Sequence, residues 1–352
     1  MNFTVNASTA YLGVAAATCL ARTVDEFGNE IVTWEMMYPR YVHPELMTHR
    51  MFSRNASSSR ATPLHVTLEE VRKNPMFFNS VGKNRSGMVA GDEVSFGEKM
   101  SFFEDWKDLA NEVADRVEGM SAAYGIHKQV LNRALEPFLP IRTIVTATEL
   151  DNFFKLRLAK DAQPEMRALA LAMKMSMLAT KVDESTTHMP YAEFFPDDND
   201  FWALLVRCTA ACCRVCVGKQ EGRKSTLEED KALVKMLLEK GHMTPLEHCA
   251  RAEGTPYAMY ANFRGWKSRK GRRKGIRRLD RLTPEGRLVA YIKQQVKSLG
   301  GLTRKCEWSN HAGAPDIFVM LAGKHFWVEL KKEGEHPRPI QLREHKLMRN
   351  AG

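Results

Sequence analysis

The 352-residue sequence has no apolar run long enough to span a bilayer, and the mildly apolar stretch Tyr11–Ala21 has no basic segment ahead of it. Both absences argue against a leader or membrane anchor and for a cytoplasmic chain, the host cytoplasm if the chain is viral. The Asn-x-Ser/Thr triplets at Asn2, Asn6, Asn55 and Asn84 then carry no meaning as glycan sites. There is no Gly-x-Gly-x-x-Gly and no Gly-x-x-x-x-Gly-Lys-Ser/Thr, which argues against a Rossmann or P-loop nucleotide site. Internal repeats and long low-complexity tracts are missing too. Cysteine is odd in number, seven in all, with four crowded at Cys208, Cys212, Cys213 and Cys216. An odd, clustered set suits a reducing compartment better than a disulfide framework. On a helix those four share one face. They read as small core residues, with a zinc site as the alternative.

What is present fits a folded protein of two or three domains, 44% apolar and 27% charged, large enough to need no disulfide staple. Acidic residues are nearly absent from one segment. Between Arg264 and Arg281 stand ten basic residues and a single acid, Asp280. Of 52 basic and 42 acidic residues in the whole chain, 42 and 41 lie elsewhere, so the net charge of +10 is concentrated here. Attraction to a polyanion such as DNA should therefore be local.

Residues 31–38 mix β-branched and aromatic side chains ahead of Pro39, the pattern of a strand. Helical spacing without proline runs over 102–134. A helix over 161–182 is expected with Asp161 as cap and Pro164 in its first turn, its methionines filling a core. Residues 186–200 read as a loop, and 227–240 as a helix capped by Ser225 or Thr226 and closed by Gly241. Beyond the basic segment, Thr283-Pro-Glu-Gly opens a helix to about Leu299. Apolar runs Ile317–Leu321 and His325–Leu330 flank Ala-Gly-Lys as a hairpin, and a last helix starts near Gln341.

The segment Thr48–Arg60 packs three arginines, a histidine and four serines into thirteen residues. Guanidinium forks and hydroxyls at this density suit a phosphate-bearing ligand, although a solvated basic loop has the same composition. In residue order the segment resembles the Arg-His-Arg…Ser signature of the flavin-dependent thymidylate synthases, with His49, Arg50, Ser53, Asn55, Ser58 and Arg60 on the motif. Thr48, Ala56 and Ala61 depart from it, standing where the family has Arg, Glu and Tyr. Thr146–Arg157 with Ala162-Gln-Pro-Glu165 resembles the family's Asn-Phe…Leu-Arg…Ala-Gln-x-Glu block, with Thr148 where an Arg is usual. Arg133 matches the arginine ahead of the family's Leu-Pro. Gly241-His-Met-Thr-Pro-Leu-Glu-His248 and Cys213-Arg-Val-Cys216 are similar to blocks that usually precede the Arg-His-Arg segment. Here they follow it, the order of a circular permutation, and the phage-type branch of the family is the best match.

This resemblance implies an α/β (α+β) fold of thymidylate synthase-complementing type, with a mixed sheet and long helices. It also implies reductive methylation of dUMP to dTMP, in which methylenetetrahydrofolate supplies the carbon, FAD the hydride and NADPH the reducing power. Arg157 would bind and polarise the uracil, and Glu45, Ser58, Arg60 and Arg133 would hold the nucleotide. Thr48, His49, Arg50, Asn152 and His248 would contact the flavin, and a homotetramer is implied. Glu45 stands where the family usually has Gln.

The C-terminal stretch carries a second constellation. Glu329 and Lys331 share a strand face, and Asp316 begins the neighbouring strand. Two carboxylates suit Mg2+ or Mn2+, and the lysine can orient an attacking water. With Glu285 before them and Gln341 after, the stretch resembles the VRR-NUC nucleases, small restriction-endonuclease-like α/β modules. The resemblance implies Glu285, Asp316 and Glu329 as metal ligands and Lys331 as catalytic. The expected organisation is a synthase domain over 1–263, a basic linker over 264–281 and a nuclease-like domain over 282–352. Two alternatives stay open: a pyrimidine C5-hydroxymethylase for a hypermodified genome, and a catalytically dead synthase fold that binds DNA.

Overall fold

The computed structural model describes residues 9–198, 200–215, 225–254, 258–269, 293, 296, 301–305, 317–321 and 324–328. The chain forms two compact units, Met1–Arg272 and Arg273–Gly352. No described helix is long and apolar enough to cross a membrane.

The first unit is organised on a six-stranded sheet. Strands β1 (Thr9–Leu12), β2 (Ala15–Val24), β3 (Glu30–Pro39), β5 (Pro140–Ala147) and β4 (Ser53–Ala56) lie in that order, all antiparallel, and β6 (Asp183–Glu184) runs parallel to β2. Alternate residues of a strand face opposite sides, and the central strands use this fully. Val32, Trp34, Met36 and Tyr38 of β3 and Val145 of β5 enter one buried cluster with Met166, Leu169, Ala170 and Met173. Those methionines belong to α6 (Pro164–Ala179), as the core reading of that run expects. The Trp34 indole donates to the Met173 carbonyl at 3.1 Å, pinning helix to sheet. On the other face Leu20 and Ile144 pack with Tyr191, Leu205, Cys208, Cys212 and Cys249. Cys208 and Cys212 lie on α7 (Phe201–Arg214). Burial pushes their thiols well above the usual range and that of Cys249 to about 11. The core reading therefore holds for them. Among the described residues no cluster is arranged to hold a metal, and Cys216 lies outside them.

Several local expectations need correction. Helix α6 starts at Pro164 with Gln163 as its cap residue, so Asp161 caps nothing. The spacing over 102–134 belongs to two helices, α3 (Phe96–Tyr124) and α4 (Lys128–Leu135), separated where Gly125 turns left-handed at φ 63°. With α2 (Leu64–Lys73) they form a helical layer around Leu68, Val71, Ala114 and Leu135. The expected loop 186–200 contains a short strand, β7 (Thr187–His188), which pairs with β8 (Ala250–Ala252), itself paired with β11 (Trp266–Ser268). Helix α8 (Leu227–Lys240) has the anticipated ends, a reciprocal Thr226–Glu229 capping box and Gly241 at φ 74°.

The basic run does not begin as a linker. Arg264 lies in β10 (Phe263–Arg264), paired with β9 (Met259–Tyr260), and its guanidinium meets Glu149 at 2.6 and 3.0 Å. Arg269 is buried, its cation 5.3 Å from the Phe201 ring and 6.0 Å from Trp202. The split between the two units, at 272/273, falls inside the expected linker segment 264–281.

In the second unit β12 (Leu302–Lys305), β13 (Ile317–Leu321) and β14 (Lys324–Val328) form an antiparallel sheet in that order. The last two are the expected hairpin; β12 is an additional strand. Val296, Ile317 and Val319 make a small core with Val328 against it. The expected helix from 283 is described only at Lys293 and Val296, both helical, and the helix from Gln341 lies outside the described residues.

Candidate active site

Helix α1 (His43–Met47) is one turn long, and the chain doubles back directly after it into β4. That reversal is held by Arg54. Its Nη1 donates to the carbonyls of Leu46, Met47 and His49 at 3.3, 3.2 and 2.9 Å. Arg54 is therefore occupied by its own backbone rather than offered to a ligand. The turn it fixes carries Thr48, His49 and Arg50.

Arg157, at the end of α5 (Asp151–Arg157), reaches this turn across 108 residues of sequence. Its Nε donates to His49 Nε2 at 2.9 Å, and its Nη2 to Thr48 Oγ1 at 3.0 Å and the Glu45 carbonyl at 3.2 Å. The Glu45 carboxylate lies 3.6 Å from Nη1. Thr48 completes the circle by donating its hydroxyl to the Glu45 carbonyl at 2.7 Å. Because His49 accepts at Nε2, its own proton sits on Nδ1. Burial, with the Arg157 and Arg54 cations close by, lowers the ring's pKa to about 4, so it is neutral at neutral pH. Phe153 meets it edge-on at 4.8 Å, and Phe52 lies tilted at 5.7 Å.

Beside this group is a cavity of about 280 Å3. Thr48 to Phe52 line one side, and Glu149, Asp151, Asn152 and Phe153 the other. The expected flavin contacts Thr48, His49, Arg50 and Asn152 are thus brought together. Arg157 and Glu45 stand behind the wall, holding it. Thr148 accepts the Arg264 backbone N–H at 2.9 Å, which together with the Arg264–Glu149 pair closes the cavity's edge.

His248 is not among the lining residues. It follows the 3-10 turn Thr244–Glu247 and is fully buried, with Nδ1 2.9 Å from Thr146 Oγ1 and Nε2 without a partner. A flavin contact through His248, as the resemblance implies, would have to be made by that one buried nitrogen.

Ser58 and Arg60 follow the far end of β4, roughly 10 Å along the strand at about 3.3 Å per residue, and Arg133 is tied to their neighbour Ser59 through Glu136. Ser58 is half-buried, whereas Arg60 and Arg133 are exposed. Glu136 organises this end. It accepts from Ser59 Oγ at 2.6 Å and Arg133 Nη1 at 2.9 Å, with Arg40 Nη1 at 3.8 Å. Asn132 Nδ2 donates to the carbonyls of Ser59 and Thr62 at 2.7 and 3.1 Å, locking the serine loop onto α4. Ser59, Arg40 and Glu136 carry no motif signal, and only the folded chain assembles them. The nuclease-type residues Glu285, Asp316, Glu329, Lys331 and Gln341 lie outside the described residues.

Residues 28–180 match the family model described as thymidylate synthase complementing protein. Over 66 residues, 18% of this chain and 71% of the relative, the chain is 39% identical to the putative nuclease p44 of Acyrthosiphon pisum secondary endosymbiont phage 1. A solved VRR_NUC domain is 42% identical over 20% of this chain and 78% of its own length, with a TM-score of 0.19. Thymidylate synthase X from Helicobacter pylori, solved with FAD and dUMP, is 18% identical over 42% of this chain and 67% of that one, with a TM-score of 0.32. Residues 28–180 thus form a thymidylate synthase complementing (ThyX-type) domain, and the chain joins it to a module related to a putative phage nuclease and to a VRR_NUC domain.

Proposed function

We propose that the first unit is a flavin-dependent thymidylate synthase converting dUMP to dTMP with methylenetetrahydrofolate, FAD and NADPH. The observation that supports this best is the Arg157 assembly. Two motif blocks more than a hundred residues apart are joined there, and the cation that joins them would stabilise charge on a pyrimidine ring bound beside it. When bound, FAD supplies the hydride. Edge-on aromatics, a neutral imidazole and the exposed Arg50 and Asn152 suit one planar, phosphate-linked ring system. The cavity of about 280 Å3 is small for a whole dinucleotide, in keeping with a homotetramer whose copies share each site. Ser58, Arg60 and Arg133 would hold the nucleotide phosphate, with Glu136 giving up Arg133 as the anion arrives.

The Glu45 carboxylate beside Arg157 favours a second reading, C5-hydroxymethylation of a pyrimidine nucleotide, because an acid accepts hydrogen bonds where an amide can also donate. Product analysis with dUMP and with dCMP, each with methylenetetrahydrofolate and NADPH, separates the two. Arg157→Ala should abolish turnover while bound flavin persists, and normal turnover by that variant would remove Arg157 from the site.

For the second unit the proposal is a metal-dependent DNA nuclease using Glu285, Asp316, Glu329 and Lys331 with Mg2+ or Mn2+. In sequence, Asp316 directly precedes Ile317 and Glu329 directly follows Val328, and those two neighbours are ladder partners. Supercoiled plasmid should be nicked with Mg2+ or Mn2+ and left intact with EDTA or by Lys331→Ala. Cleavage that survives either change rules out the metal-nuclease reading.

A further inference from the structure

Five side chains link up through the middle of the first unit. Thr23 Oγ1 lies 2.9 Å from His188 Nδ1, and His188 Nε2 lies 2.7 Å from Thr33 Oγ1. Thr33 Oγ1 is 2.6 Å from Thr146 Oγ1, and Thr146 Oγ1 is 2.9 Å from His248 Nδ1. All five are buried. Thr33 and Thr146 are direct partners in the β3–β5 ladder, on the face opposite Trp34 and Val145. Burial lowers the pKa of both histidines to about 3, so each ring carries one proton.

The protons can then be counted. Four hydrogen bonds join the five groups, and each needs one proton. If His248 holds its proton on Nε2, the remaining four groups must supply all four bonds, and only one arrangement does so. Thr23 donates to His188, His188 donates from Nε2 to Thr33, Thr33 donates to Thr146, and Thr146 donates to His248 Nδ1. A single polar group stays unpaired, the Nε2–H of His248. If His248 instead holds its proton on Nδ1, four protons compete for three bonds. One threonine hydroxyl is then orphaned in the core, and the bare Nε2 is unpaired as well. Leaving a buried polar group unpaired is costly, so the arrangement with one such group prevails over the arrangement with two.

We propose that Thr146, Thr33 and His188 are positioning residues that fix the tautomer of His248 with its proton on Nε2, leaving that N–H for an acceptor atom that a bound ligand would bring. Thr146 is linked to the cavity through the chain, since its ladder partner Ser53 follows Phe52 of the cavity wall. Three residues along the chain from Thr146, Glu149 lines the same cavity. This inference rests on the flavin-site reading for the ligand alone; the tautomers are a property of the protein without it.

The test is therefore made on flavin-free full-length protein with 15N-labelled histidine, its ring signals assigned by His188→Gln and His248→Gln. Both rings should be protonated at Nε2. Thr146→Val should leave each of them a mixture of tautomers, including His188, which Thr146 does not touch, and Thr146→Ser should restore the wild-type spectrum. A wild-type His248 protonated at Nδ1, or a Thr146→Val spectrum unchanged from wild type, overturns the proposal. The wild-type measurement decides by itself should the valine variant fail to fold. Failure of the synthase reading shows separately, in the dUMP and dCMP product assays.

Discussion

The two faces of strands β3 and β5 are made of alternate residues of the same chain, yet they are built for different ends. Toward α6, Val32, Trp34, Met36 and Val145 are apolar, the Trp34 N–H is spent on helix attachment, and the Tyr38 hydroxyl pairs with Thr143 at 2.9 Å. Toward α7 and the 3-10 turn, Thr33 and Thr146 join two buried imidazoles, and Glu35 accepts from Tyr191 in the same layer. A buried polar group is expensive unless it is paired, and here the threonines and imidazoles are paired end to end. The α6 face holds the sheet through packing; the other holds it through a chain of hydrogen bonds.

Trp34→Ala should break that division most severely. Removing a fully buried indole and its bond to Met173 should cost about 3–5 kcal/mol, measured by denaturant unfolding. A loss under about 1 kcal/mol would mean the α6 face is not the stabilising one. The polar face should appear instead as pH dependence. His188 and His248 have folded pKa values lowered to about 3, against about 6.5 for an unfolded histidine. Between those limits the unfolded chain binds more protons, so stability is full above about pH 6.5 and falls as the pH drops. The slope should approach about 1.4 kcal/mol per pH unit for each ring. His188→Gln should remove about half of it, and a slope that survives would assign the effect to other groups. The smallest expected effect separates the buried cation Arg269 from the basic residues that follow it in sequence. Arg272, Arg273, Arg277 and Arg278 replaced by Gln should flatten the salt dependence of DNA binding by about three to four phosphate contacts. Arg269→Gln should leave that slope alone while lowering stability, because Arg269 is stacked on Phe201 and Trp202.

Local rules made part of this legible. Thr226, Gly241, the strand before Pro39 and the hairpin at Ile317–Val328 each follow from short-range chemistry, and each stands where expected. The turn at Thr48–Arg50 was legible as motif, but its clamp was not. Arg54 on three carbonyls and Arg157 on His49 depend on β4 pairing with β5, a long-range event no spacing encodes. The same holds for Glu136, which looks like an ordinary charge before a proline, and for His188, a histidine in an apparent loop. Asp161 misled because a good cap residue is only an opportunity. Pro164 fixed the helix start three residues later.

The crowded thiols have a consequence outside packing. Cys208, Cys212 and Cys249 are fully buried, and Cys19 nearly so, with burial holding Cys19 at about 11 as well. In the folded chain these sulfurs are protonated, out of reach and inert. Once the sheet opens they return to the ordinary thiol range and react with any electrophile or oxidant present. Each excursion to the open state can thus be captured chemically, and alkylation of these sulfurs keeps a record of how often the central sheet comes apart.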